Sequence, residues 1–368
     1  MKVAILWTQL SGYLNACMKE LAVRDNIDLF VCHEAPGKDA PFDEGQFAWI
    51  TKRFMWRTQL DLYSLEQQLR AFAPDILVVA GWHIPAYRRL AKKLQSKCWR
   101  VMTMDNPWAA TVRQRVGTWI APYYLRSIAD VAWVPGERQA VFARKLGFQQ
   151  GAILRGLYAC DQAAFEAMHL QRLAEGRPVP RFFLFAGRFS PQKGLDTLVR
   201  AYQAYRETDP DPWPLICCGA GPLRSHLEAK PGIRIEGFVQ PAHMPPLFAA
   251  AGCLVVPSVF EPWALVIHEA VSAGLLALAS EKAGAAVHLV QPGYNGFIFD
   301  SQDAAGLASL MSQISAMSDS QLDAMSRASH SLSLQFSPQR WADTLLDAFH
   351  VLRHEPTARQ GAVIGLKS

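Results

Sequence analysis

Short uninterrupted apolar runs alternate along this chain with stretches whose apolar residues recur every three or four positions. In the first half, Val3–Trp7, Leu29–Cys32, Ile76–Ala80, Val101–Met104 and Val131–Val134 are four- to five-residue runs rich in Val, Ile and Leu. Between them lie amphipathic stretches at Leu62–Phe72, Ala86–Gln95 and Glu137–Leu146, whose spacing predicts helices. Strands that are apolar at every position, alternating with helices, predict a parallel sheet covered on both faces. The opening MKVAILWTQLSGYLNACMKEL has too short an apolar core for a secretion signal and reads as the first strand and helix.

The pattern then starts again. Phe182–Ala186, Leu215–Cys218, Ile233–Ile235, Cys253–Val256 and Leu275–Ala279 are the strands expected in the second half. Helices are expected at Leu195–Arg206, Leu223–Glu228, Ala264–Ser272 and Ala304–Ile314. Asp161–Pro180 is polar and ends in Gly176-Arg177-Pro178-Val179-Pro180, a linker composition. The fold class expected is α/β, with two tandem Rossmann-like doubly wound domains facing a cleft. Ligands of such sheets bind outside the carboxyl ends of the strands.

Composition narrows the function classes. The chain has 368 residues, 50% hydrophobic and 19% charged, which excludes a disordered chain and fits about two domains. The uncharged stretch Gly237–Phe260 contains four prolines, so it is not read as a membrane span. Seven scattered cysteines without a Cys-x-x-Cys pair are expected to be buried, reduced thiols of a cytoplasmic protein. Residues 1–158 hold 21 Lys and Arg against 13 Asp and Glu, net +8, and the remainder 16 against 19, net −3. A uniformly basic nucleic-acid binder would not divide this way, so no nucleic-acid partner is expected.

Two motifs carry candidate chemistry. Gly187-Arg188-Phe189-Ser190-Pro191-Gln192-Lys193-Gly194 follows a strand and precedes a helix, placing a guanidinium and an ammonium where a diphosphate could be bound. Two solvated cations on a turn are the alternative. The second motif, Val259 to Glu269, has seven residues between Glu261 and Glu269. Pro262 is expected in the first helical turn, with Glu261 at the helix start and Glu269 about two turns in. The alternative makes Glu261 a cap and Glu269 part of a solvated face.

The pieces FAGRFSPQKG, CGAGP, GFV, PSVFEPWALVIHEA and PGYNGFIF, between Phe183 and Asp300, together resemble the donor-binding domain of family-4 retaining glycosyltransferases of the GT-B fold, the glycosyl transferases group 1. The resemblance covers the C-terminal half well and the N-terminal half loosely. It implies an N-terminal acceptor-binding domain over 1–160, a donor-binding domain over 161–337, and a terminal helix within 338–368 crossing back onto the first domain. It implies that Arg188 and Lys193 bind the diphosphate of a nucleotide sugar and that Glu269 holds the ribose hydroxyls. Glu261, with the backbone of Trp263, Ala264 and Leu265, is implied at the donor sugar. Gly12, Gly187, Gly219, Gly221, Phe238 and Val239 are implied in loops lining the donor. Ala264 departs from the family pattern, where glycine is usual.

On the acceptor side, Trp82 and His83 end one strand, and Met104-Asp105-Asn106 ends the next. Asp105 stands where relatives often carry histidine; it either orients an acceptor hydroxyl or caps the following helix. Trp108 and Trp119 are candidates for stacking on sugar. No metal and no cofactor are expected: two fixed cations can meet the leaving group's charge, and Asp209-Pro210-Asp211 reads as a surface turn. The basic stretch Arg88–Arg100 places Arg89, Lys93 and Lys97 on one helical side, either as a solvated face or as a peripheral contact with an anionic inner-membrane surface.

The function expected is a metal-independent retaining glycosyltransferase. It would move a sugar from a nucleotide donor to a glycan or lipid-linked acceptor, in cell-surface polysaccharide or lipopolysaccharide synthesis. A sugar-nucleotide epimerase or hydrolase and a non-catalytic binding module are the rivals. A nicotinamide-dependent dehydrogenase lacks the Gly-x-Gly-x-x-Gly that should follow its first strand.

Overall fold

The apolar runs become parallel strands because each buries both faces. In the computed structural model, which describes residues 1–37 and 43–353, the chain divides into two units. The first joins Met1–Ala159 to the helix that begins at Pro338, and the second is Cys160–Ser337.

The first unit is built on β1 (Lys2–Gln9), β2 (Asp28–Glu34), β3 (Lys52–Trp56), β4 (Ile76–Ala80), β5 (Trp99–Thr103), β6 (Val131–Trp133) and β7 (Ile153–Leu154). They form one sheet in the order β3-β2-β1-β4-β5-β6-β7, and every recorded pairing is parallel. Five helices connect the strands: α1 (Gly12–Ala22), α2 (Leu62–Phe72), α3 (Pro85–Lys93), α4 (Val112–Arg126) and α5 (Glu137–Lys145). Strand order reverses between β1 and β4, where Val3 pairs with Ile76, so a crevice opens at their carboxyl ends.

The second unit repeats the plan. Its sheet holds β8 (Phe183–Ala186), β9 (Leu215–Cys218), β10 (Ile233–Gly237), β11 (Cys253–Val256), β12 (Leu276–Ser280) and β13 (Gly296–Phe299), in the order β10-β9-β8-β11-β12-β13. The helices are α6 (Gln162–Ala174), α7 (Leu195–Thr208), α8 (Met244–Ala249), α9 (Leu265–Ser272), α10 (Ala286–Leu289), α11 (Ala304–Ser315) and α12 (Asp319–Ser333). Here the reversal lies between β8 and β11. Both units are Rossmann-like and doubly wound.

Helix α13 (Pro338–Leu352) packs in the first unit. Its Trp341 stacks on Trp133 with ring centroids 4.7 Å apart and donates its indole N–H to the Leu157 carbonyl at 2.8 Å. The rest of the 338–368 segment, from residue 354, lies outside the described residues.

Several expectations need correction. Residues 162–174 are not linker but helix α6, whose Phe165 and Arg172 are buried. Arg172 is held there by Asp323 and the Ser326 hydroxyl, each at 3.0 Å. The helix expected at Leu223–Glu228 is only a 3-10 turn, Arg224–His226. Strand β3 escaped the apolar pattern because it is an edge strand carrying Lys52 and Arg53, and edges favour charge. Helix α4 escaped because Pro122 lies inside it.

The basic stretch also divides. α3 ends at Lys93, so Lys97 is off the helix, and Lys93 is paired with Glu66 at 2.5 Å. Arg100 sits on β5, 2% exposed, where it donates to both carboxylate oxygens of Asp130 and to the Ser127 carbonyl. It is a core ion pair, not part of a surface. All seven cysteines are buried thiols. Among the described residues, no helix is long and apolar enough to cross a membrane.

Candidate active site

In the second unit, both sequence motifs land at the strand reversal. The Gly187–Gly194 loop leaves β8 and the Pro257–Trp263 loop leaves β11. They are locked together. Val259 donates its N–H to the Gln192 carbonyl at 2.9 Å. Gly194 takes φ +69°, and a Cβ there would lie 1.9 Å from the Pro257 carbonyl oxygen. This docking brings Lys193 Nζ onto Glu261 Oε2, a charge-assisted hydrogen bond joining the two motifs. The Ser258 hydroxyl also faces Glu261 Oε2, at 3.5 Å. Arg188 is exposed on the same loop, and Gly187 rests against the Lys193 stem.

The glycines of the Cys218–Pro222 loop allow a third close approach. Gly219 and Gly221 have φ near +150°, and added Cβ atoms would fall 1.9 Å from the Gly187 carbonyl oxygen and 2.5 Å from that of Phe189. The loops interlock through Gly187 N–H to the Cys218 carbonyl and Phe189 N–H to that of Ala220. Phe238 and Val239 follow β10, anchored where Gly219 donates to the Gly237 carbonyl at 2.7 Å.

Glu261 is not at a helix start, and Pro262 is not in a first turn. Glu261 is bridged to Ala283, its carbonyl accepts from Gly284, and the Trp263 carbonyl accepts from Ala285 at 2.6 Å. The segment is extended because it is pinned to Ala283–Ala285. Ala264 then turns with φ +73°, a left-handed conformation that costs alanine more than glycine, and α9 begins at Leu265. Glu269 is therefore little more than one turn into the helix, not two. The Trp263 side chain is buried between Phe336 and His288, so only its backbone can serve the site.

Glu269 is partly buried, and among the described residues nothing makes a hydrogen bond or ion pair with its carboxylate. Desolvation pushes its carboxyl up to about 7. It lies near the end of β9, where its charge and that of Glu236 add to the burial that pushes the Cys218 thiol up to about 11. Asp209, by contrast, is spent on a turn: it accepts from the Asp211 N–H at 3.0 Å and the Ser315 hydroxyl at 2.7 Å. Among the described residues, no cluster of three or more His, Cys, Asp or Glu is placed to hold a metal.

The first unit has a cavity of about 850 Å³ at its own strand reversal. It is walled by the ends of β1, β4 and β5, by one side of α4, and by Tyr158. Trp82, His83, Asp105 and Asn106 all line it, and Gly12 opens α1 beside the lining residues Ser11 and Tyr13. Asp105 does not cap the following helix, since Thr111 does that by accepting from the Gln114 N–H. Its carboxylate instead accepts from the Tyr158 hydroxyl at 3.1 Å, and the Tyr158 ring packs edge-on against Tyr13 at 5.3 Å. Burial, with the Asp105 charge adding, pushes both tyrosine hydroxyls well up, so they remain donors.

Tyr158 and Arg113, which also line the cavity, were missed from the sequence: one follows an unpredicted two-residue strand, the other lies on the unpredicted α4. Trp108 does not line the cavity; it packs on Phe142 with Lys145 over its ring. Trp119 is 84% exposed and does not line it either.

Residues 180–316 match the family model described as glycosyl transferases group 1. An uncharacterized glycosyltransferase of Methanocaldococcus jannaschii is 33% identical over 111 residues, 28% of either chain. The D-inositol 3-phosphate glycosyltransferase of Mycobacterium avium is 25% identical over 346 residues, covering 82% of this chain and 79% of that protein. Among solved structures, Anabaena HepE in complex with UDP superposes with a TM-score of 0.70 at 16% identity, over 96% of this chain and all of HepE. Residues 180–316 are thus similar to the group 1 glycosyl transferases, and the chain has the GT-B fold.

Proposed function

We propose that the second unit binds a nucleotide-diphosphate sugar and that the chain transfers the sugar, with retention and without a metal, to a hydroxyl held in the cavity of the first unit. The observation that carries this reading is the Lys193–Glu261 pair, which joins a cationic loop to a carboxylate loop at the strand reversal. Lys193 and Arg188 would meet the negative charge that develops on the leaving diphosphate. Glu261 would engage hydroxyls of the donor sugar, and Glu269 those of the ribose. The loops of Gly12, Gly187, Gly219, Gly221, Phe238 and Val239, and the backbone at Trp263, Ala264 and Leu265, would line the donor. HepE, which shares the fold, binds UDP and glucose.

In the first unit, Asp105 would orient the acceptor hydroxyl, itself held by Tyr158, with Trp82, His83 and Asn106 around it. A front-face path, acceptor and leaving group on the same side, suits a retaining site, as in family 4. The acceptor proposed is an anionic glycan or lipid-linked species used in envelope polysaccharide or lipopolysaccharide synthesis, on the cytoplasmic side of the membrane. The M. avium relative is a D-inositol 3-phosphate glycosyltransferase, which is consistent with an anionic acceptor.

Incubation with a panel of labelled nucleotide sugars and candidate acceptors, followed by NMR of the product, tests this. Sugar appearing on acceptor with its anomeric configuration kept, and turnover that persists in excess EDTA, are expected. An epimerised nucleotide sugar, an inverted anomer, or activity abolished by EDTA and restored by Mn²⁺ would overturn the corresponding part.

Glu269 adds a pH dependence with a definite sign. Its folded carboxyl is raised to about 7, so the folded state holds a proton that the unfolded state releases. This contribution to stability is present at low pH and lost as pH rises from the ordinary carboxylate range to about 7. Ribose hydroxyls donate to the ionised form, so donor affinity should rise as pH climbs through 7. Calorimetry of UDP binding should show affinity roughly tenfold weaker at pH 5.5 than at pH 7.5, with proton release on binding. Glu269→Gln should flatten that difference. An unchanged profile in the variant would assign the dependence to the phosphates instead.

A further inference from the structure

Helix α4 presents one side to the cavity and an apolar stripe to solvent. Val112, Val116, Trp119, Ile120 and Tyr123 recur at the spacing of a single helical face. Trp119 is 84% exposed, Val112 78% and Tyr123 77%, so among the described residues this face is left open to solvent. The stripe runs roughly 16 Å, three turns of helix. Arg113 borders it on one side and Arg115 on the other, and α4 carries no Asp or Glu. Its neighbour α3 carries four cations and also no carboxylate, and Arg88 of α3 lies over the Tyr124 ring at 5.8 Å.

The helix is held firmly from its other side. Leu125 is buried, and Pro122 fits so closely against Gly147 that a Cβ there would meet it at 2.8 Å. Gln114 ties the preceding loop down by accepting from the Ala109 N–H and donating to the Pro107 carbonyl.

We propose that the outer face of α4 docks the first unit onto an anionic lipid surface. Trp and Tyr beside short aliphatics, flanked by arginines and free of carboxylates, suit the headgroup boundary of a bilayer. A second copy of the chain fits less well, because a two-fold contact would bring the same arginines against one another. Arg113, Gln114, Gly117 and Ala121 on the inner side of α4 line the 850 Å³ cavity. Docking therefore holds the cavity at headgroup level, where a lipid-borne acceptor presents its polar end. The inference uses the transfer reading only for that purpose; docking itself is tested without turnover.

The test is flotation of the full chain with phosphatidylcholine vesicles, with and without about one-third phosphatidylglycerol, at low and high salt. Binding to the anionic vesicles that falls at high salt is expected. Trp119→Asp with Tyr123→Asp should lower it at least about tenfold, while the thermal shift caused by UDP stays as in wild type, which shows that the variant folds. Arg115→Glu should reduce the preference for anionic vesicles. No anionic preference at low salt, or undiminished binding of the double variant, overturns the proposal. So does loss of a concentration-dependent dimer in that variant without any vesicle binding. Failure of sugar transfer with intact vesicle binding would strike only the functional reading.

Discussion

Replacing Lys193 by alanine should lower kcat about 10²-fold or more, equivalent to roughly 2.7 kcal/mol of transition-state stabilisation. The ammonium is preorganised: its loop is closed against the β11 loop, and Glu261 holds the charge in place before donor arrives. Its removal acts twice, taking a cation from the leaving phosphate and leaving the Glu261 carboxylate, among the described residues, with only the Ser258 hydroxyl, at 3.5 Å. Because the leaving group's charge is greatest in the transition state, kcat should fall more than the donor KM rises. Lys193→Arg keeps the charge but not the shape, and should recover part of the loss. Steady-state kinetics on the two variants decide the matter. Wild-type turnover in Lys193→Ala would remove this residue from the chemistry.

Gly194→Ala should be among the most damaging single-methyl changes available in the second unit. The position needs φ +69°, and the new Cβ would sit 1.9 Å from the Pro257 carbonyl oxygen, which belongs to rigid backbone. Either the β8 and β11 loops separate or the start of α7 shifts. A left-handed alanine together with a forced backbone movement costs on the order of 2–4 kcal/mol. Denaturant unfolding should show this as a lower midpoint, and UDP should stabilise the variant far less than wild type, since separating the loops also separates Lys193 from Glu261. Gly293→Ala is the control: φ there is +77°, but no atom lies within 4 Å of the added methyl, so only the conformational cost remains. Equal midpoints for the two variants would mean that the Gly194–Pro257 contact does not hold the loops.

Where the sequence misled, the cause was local pattern meeting distant packing. Glu261-Pro262 resembles a helix start, because proline is favoured in a first turn. The segment is extended because backbone groups at Ala283–Ala285, some twenty residues later, take its hydrogen bonds. Asp161–Pro180 is polar enough to look like a linker, yet Arg172 is drawn into the interior by Asp323 and Ser326 on α12, more than 150 residues away. Arg89, Lys93 and Lys97 look like one helical side, yet the helix stops at Lys93 and β5 carries Arg100 into the core against Asp130.

What the sequence determined by itself is whatever rests on short-range periodicity and on ordered motifs. The all-apolar strands Ile76–Ala80, Leu215–Cys218 and Cys253–Val256 were legible to the residue, since burial on both faces leaves no polar position. The two-domain α/β plan followed from the same local signals, and the resemblance to a donor-binding domain from the order of the motifs. Strand order was decided only in three dimensions, and with it the position of the reversals that bring Lys193 to Glu261 and Tyr158 to Asp105. The outward face of α4 was decided there too, because its sequence carries apolar residues all round, and the contacts of Tyr124 with Arg88 of α3 and of Pro122 with Gly147 set which side stays in solvent. Periodicity reports that a face is apolar; what covers that face is settled by residues far away along the chain.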